Sequence, residues 1–335
     1  MNKERNYKLD NTKALLIFLV VLGHMADYYV SISDDMKFLF FFIYIFHMPL
    51  FIFLSGLFIK STIDGARLKI EKVFSYLIMF FLLKISLFLI DKYLFLKDIN
   101  FNTFNEGNVP WYMFAMAAWI CLTYLLKNIK PLYLLSFSIL LGLIIGYDSY
   151  AIDYLVISRI IVYFPFFLLG YYFTSIDLMK IINRKSVQYF SIVFLLSLIS
   201  FIFINIQEIY QFRGFLTGRN SYEVMNQSVF GGFYRSFFYI LAAILALAIM
   251  SIMPNKKFGF TVIGERTLQI FFLHMICISL LHYFNVEETL KSVSNGHWLK
   301  LYILLSVPLT LMLALKPLEW PFKKIMSFKY TKIFK

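Results

Sequence analysis

A chain of 335 residues in which 60% are hydrophobic and only 15% charged cannot clothe a water-soluble surface, so a soluble enzyme is excluded. The formal net charge of +13 raises nucleic acid as a partner, but the cations lie in loops between apolar runs, which argues against it. The two cysteines, Cys121 and Cys277, sit inside apolar runs without metal-ligand spacing and read as packing residues.

Ten apolar runs follow one another near 14–33, 37–59, 73–96, 111–127, 131–147, 154–175, 188–206, 230–253, 267–284 and 299–316. Each is close to the roughly 20 residues a helix needs to cross the hydrocarbon core. They predict an all-α polytopic membrane helix bundle of about ten transmembrane helices, occupying 1–335 as one transmembrane domain with no appended soluble domain. The first run follows Lys3, Arg5, Lys8 and Lys13 and lacks a small-residue cleavage pattern, so it reads as a retained helix. With the N-terminus inside, every inward loop carries Lys or Arg, while the outward loops carry Asp34, Asp35, Asp148, Asp153, Glu287 and Glu288. Both termini are therefore expected in the cytoplasm, where the tail KKIMSFKYTKIFK suits anionic membrane lipids.

Ionisable groups inside a bilayer are functional candidates by default. In chain order these are His24 and Asp27, then His47 ahead of Pro49, then Arg159, and finally His274, with Trp111 and Arg235 opening their spans at the outer edge. His24 lies about 16 Å above Lys13 at a 1.5 Å rise per residue, and His47 enters from the other side to a comparable depth. Three histidines at one level below arginines predict a cavity that opens outward. Asp27 reads either as an interfacial residue or as the carboxylate that orients His24 from one turn away. Pro49 is expected to kink its helix beside His47, and Ser55-Gly56 to allow close helix packing. For His274, helix–helix hydrogen bonding stands level with a role in chemistry. Lys84 is left without an assigned role.

The segment YKLDNTKALLIFLVVLGH (7–24) resembles the opening helix of the acyltransferase-3 family of integral membrane O-acyltransferases, with Asp10, Lys13 and His24 at its signature positions. IFHMPLFIFLSGLF (45–58) is similar to that family's second-helix motif. VPWYMFAMAAW, RIIVYFPFFLLGYYF, GRNSY, FYRSFFYIL and IGERTLQIFFLH follow in order along the chain. Lys13 stands where much of the family has arginine, which keeps the charge but loses the bidentate fork. The closest likeness is to fucose 4-O-acetylases and capsular or exopolysaccharide O-acetyltransferases of the bacterial cytoplasmic membrane. The resemblance implies acetyl-CoA as the donor, docking at a basic inner rim with Asp10, Lys13, Lys69, Lys72 and Arg266, and no metal. It implies a polysaccharide or lipid-linked glycan acceptor, met by Trp111, Arg159, Arg219, Arg235 and His274. His24 is then the expected general base. His47 remains open as a second acid/base group, an oxyanion stabiliser or an acyl carrier. Two rivals stand beside this: a transporter or flippase using intramembrane His and Arg, and a zinc enzyme with three histidine ligands.

Overall fold

The computed structural model describes residues 6–64, 67–150, 153–294 and 296–329; Lys3, Arg5 and the last residues of the basic tail lie outside them. All ten predicted runs fall on helices. These are α1 (Tyr7–Asp27), α2 (Asp34–Phe58), α3 (Ile70–Leu89), α4 (Trp111–Leu125) and α5 (Pro131–Ile144). They continue with α6 (Ile157–Tyr172), α7 (Lys185–Ile204), α8 (Gly231–Ile252), α9 (Thr267–Tyr283) and α10 (Trp298–Leu313). By length and composition α1, α2, α3, α7 and α8 can each cross a membrane unaided. α6, α9 and α10 reach that length with continuations bent by 96°, 60° and 68°, whereas α4 and α5 are shorter apolar helices. The sheet found among the described residues is a hairpin, Ile63–Asp64 against Arg67–Leu68. The chain is thus an all-α polytopic bundle.

α1 starts seven residues earlier than its apolar run, at Tyr7 instead of 14. Its first two turns are polar in sequence yet buried, because each polar group finds a partner. The Asn6 side chain caps the helix by accepting from Leu9 N–H at 3.3 Å. Lys8 Nζ donates to Ser251 O at 2.8 Å and to Asn183 Oδ1 at 2.9 Å. Asn11 Nδ2 donates to Pro254 O and Lys256 O, both at 2.9 Å, while its Oδ1 accepts from Thr261. Lys8 and Asn11 of the opening motif therefore fasten α1 to the end of α8 and the loop beyond it.

Helices α1 and α2 form the centre, with 72% and 67% of their most apolar stretch buried, against 17% for α7. The outer helices expose large apolar side chains such as Leu132, Tyr133 and Phe137 on α5 and Tyr189, Phe190 and Leu196 on α7, as a lipid-facing surface does. α2 stays continuous across Pro49, so that proline does not break the helix. Its closest neighbour is α6, and two glycines set the approach. A Cβ on Gly56 would stand 2.1 Å from Phe167 O, and one on Gly170 would stand 1.9 Å from Phe53 O. Only glycine fits at either position, which bears out close packing at Ser55-Gly56.

Lys84, on α3, is buried and ties down the segment between α3 and α4. Its Nζ donates to Asn105 O at 2.6 Å and lies 3.4 Å from Glu106 Oε2, while Glu106 Oε1 accepts from Asn108 N–H at 2.7 Å. This pair holds the backbone of Gly107 and Asn108 in place beside α6.

Candidate active site

A cavity of about 870 Å³ opens between α1, α2, α4, α6 and α9 and the segment from Gln211 to Gln227. His24, Asp27, His47, Trp111, Arg159 and Arg219 all line it. Six candidates from five separate stretches of sequence thus meet in one space, and the three helices that bear His24, His47 and Arg159 bring them together.

His47 points inward because Nδ1 is fixed by Ile43 O, one turn back, at 2.9 Å. A carbonyl only accepts, so Nδ1 carries the proton and Nε2 keeps its lone pair for the cavity. Tyr44, on the same face of α2, lies between the histidines: its ring centroid is 4.6 Å from His47 and 6.2 Å from His24. The phenol oxygen stands 3.4 Å from His24 Nδ1. Gly23 leaves room for this ring, since a Cβ there would approach Tyr44 Cε2 to 3.1 Å. The group that meets His24 Nδ1 is therefore Tyr44 and not Asp27, which lines the cavity nearer its exposed rim.

His274 does not reach the cavity. It is fully buried behind His24, with ring centroids 5.2 Å apart. Its Nδ1 donates to Phe271 O at 2.7 Å and also faces Ile270 O at 3.2 Å, so in the neutral ring Nε2 is an acceptor, buried and without a partner among the described residues. It backs the candidate base instead of touching an acceptor.

The opposite wall is aromatic and cationic. Trp111 stacks on Tyr163 at 5.5 Å, and the Arg159 guanidinium lies over Trp111 at 5.1 Å. Arg159 Nη2 donates to Gly107 O at 2.9 Å. Arg219 is engaged by Asp153 through both carboxylate oxygens. Arg235 lies outside the cavity, buried over the Tyr222 and Phe215 rings at 5.1 and 6.0 Å, so it buttresses the wall and does not face an acceptor.

A second cavity, of about 350 Å³, lies at the Lys13 end of the bundle, lined by Lys13, Ser55, Lys72, Tyr76 and Tyr112 among others. Lys13 pairs with Asp10 at 2.7 Å, and Lys72 Nζ donates to Met326 O at 2.6 Å. Lys69 and Arg266 do not line this cavity. Lys69 is exposed at the start of α3, and Arg266 clamps the C-terminal segment, donating to Ala314 O at 2.6 Å and lying 3.8 Å from Glu319.

Phe271 lines both cavities. Its ring packs 5.1 Å from Tyr112 on one side and 5.8 Å from His274 on the other. Ser55 spends its proton on Phe51 O, so the 2.6 Å contact with Tyr112 is donated by the phenol, which anchors that ring. Sequence reasoning missed Tyr44, Glu106, Tyr163 and Phe271. Tyr44 and Phe271 each stand three residues before a buried histidine on the same helix face, and that spacing was the available signal.

Among the described residues no group of three His, Cys, Asp or Glu side chains could hold a metal ion, so the zinc alternative has no ligand set. A membrane helix bundle with imidazoles gathered at an internal cavity has the form of a polytopic membrane enzyme. A family model of the acyltransferase-3 type, described as an acyltransferase domain, matches residues 6–315, and the chain belongs to that family. It is an acyltransferase. Comparison with curated proteins and with solved structures finds no match.

Proposed function

We propose that the protein transfers an acetyl group from cytoplasmic acetyl-CoA to a sugar hydroxyl of a cell-surface polysaccharide or its lipid-linked repeat unit. The observation that carries this reading is the pair of cavities stacked on either side of Phe271, one with Lys13 and Lys72, the other with His24 and His47. A donor entering from the Lys13 end would meet Lys72, whose ammonium is held by a neutral carbonyl and is suited to an anionic phosphate. Its thioester arm would pass Tyr112 and Phe271 to reach the histidines. Trp111 and Tyr163 offer ring faces to a sugar.

In the step proposed, His24 takes the proton of the acceptor hydroxyl as its oxygen attacks the thioester carbonyl carbon. The new C–O bond forms, the C–S bond breaks, and the proton passes from the imidazolium to the departing thiolate. With Nδ1 as the proton-bearing nitrogen, neutral His47 presents a lone pair, which favours acid/base assistance over donation to an oxyanion. His274 offers His24 a further acceptor from behind. On this reading both termini and the Lys13 cavity face the cytoplasm, in a bacterial cytoplasmic membrane.

The test is acetyl transfer by purified protein from labelled acetyl-CoA to glycan acceptors. His24→Ala and His47→Ala should each lower the rate by about 10²–10⁴-fold, the usual worth of a positioned acid or base, with membrane insertion intact. Full activity in both variants would refute the assignment, and a carrier would be inert in the assay altogether.

A further inference from the structure

Arg159 is only 5% exposed, and among the described residues no carboxylate pairs with it. The carboxylates of its neighbourhood are already engaged: Asp153 by Arg219, and Glu106 by Lys84 and the Asn108 amide. One of its terminal nitrogens donates to Gly107 O, while Nη1 is buried with no hydrogen-bond partner among the described residues. The Trp111 face supplies cation–π contact but no counter-charge. A charge at this depth is costly unless an ion pair offsets it, and among the described residues Asp153 and Glu106 act on Arg159 only from a distance, each already paired to another cation.

The rest of the lining gives the charge that is missing. Three arginines, Arg159, Arg213 and Arg219, face the cavity against one aspartate, Asp27. Arg219 is balanced by Asp153, and the exposed Arg213 shares the rim with Asp27, which leaves one cation, at the buried end, unbalanced. We infer that the acceptor is an acidic sugar, whose monoanionic group, a carboxylate or a phosphodiester, docks on Arg159 while its ring lies on the Trp111–Tyr163 wall. This rests on reading the cavity as the acceptor site. A planar guanidinium fork with an open edge is the side chain best matched to such an oxyanion, and it would fix which hydroxyl reaches His24.

The experiment needs no acetyl-CoA. Binding of methyl glucuronide, methyl glucoside and glucose 1-(methyl phosphate) to the purified full-length protein is measured by titration calorimetry at low and high salt. At least tenfold tighter binding of one anionic glycoside over methyl glucoside, shrinking with salt, supports the inference, and whichever anion prevails identifies the group. Arg159→Gln should abolish the preference and Arg159→Lys restore part of it. Equal binding of neutral and anionic glycosides, no binding of any, or an unchanged preference in a folded Arg159→Gln protein overturns it. The wild-type comparison stands even if the variants fail to fold. Transfer assays with the same glycosides separate the two readings. Acetylation of neutral and anionic acceptors alike sinks the acidic sugar and leaves the acetyltransferase. Selective binding without acetylation does the reverse.

Discussion

Phe271 is buried where the two cavities approach each other. It separates a cavity reached from the Lys13 end from one that holds the imidazoles, and its backbone carbonyl is the same atom that fixes the tautomer of His274. If a thioester passes between the two cavities as proposed, a ring at this point would help keep water from it. Phe271→Ala is expected to raise acetyl-CoA hydrolysis without acceptor several-fold relative to transfer, whereas Phe271→Leu should keep most of the coupling. A merely structural role would lower both reactions together, and parallel measurement of free acetate and acetylated glycan distinguishes the cases. Among 40 phenylalanines the sequence marks this one only by its place three residues before His274, because its importance lies in which two spaces it touches.

The helices themselves were legible because a bilayer imposes one rule, that backbone groups be satisfied within each span, and apolar length follows from it. What the runs hid was the polar start of α1, where burial is bought by long-range partners such as Ser251 and Pro254. The helical rise predicts a common depth for His24 and His47, and the two line one cavity. Facing was not legible: His274 packs against His24 but turns behind it, and Arg235 turns into aromatic rings. Lys69 and Arg266 carry positive charge near the Lys13 end, yet neither lines its cavity: Lys69 is exposed and Arg266 is turned to Ala314 O. At this scale a tight constraint is the contact of α2 with α6. Gly170→Leu would drive a side chain into Phe53 O, where backbone cannot yield as a side-chain tip does. Overpacking of this kind costs about 1–3 kcal/mol or more, so a clear fall in thermal stability in detergent is expected, with Gly170→Ala intermediate.

Across the whole molecule the two cavities draw on alternate connections. The Lys13 end uses the segment from Phe58 to Lys72 and Met326; the other end uses the segments around Gly107–Asn108 and Gln211–Gln227. That alternation is what successive crossings produce, and the proposed orientation makes it testable. A cysteine placed at exposed Val224 should react with a membrane-impermeant maleimide on intact cells. One placed at Lys323, near Met326, should react only after the membrane is opened. The opposite pattern would invert the orientation and put the Lys13 cavity out of reach of a cytoplasmic donor.

The glycine contact between α2 and α6 has one more consequence. One helix bears His47 and the other bears Arg159, so main chain resting on main chain makes them a single strut. If His47 and Arg159 act as proposed, this contact would hold the spacing between them constant. Whatever opens and shuts during the cycle has to be sought in ring rotations and in the flanking segments.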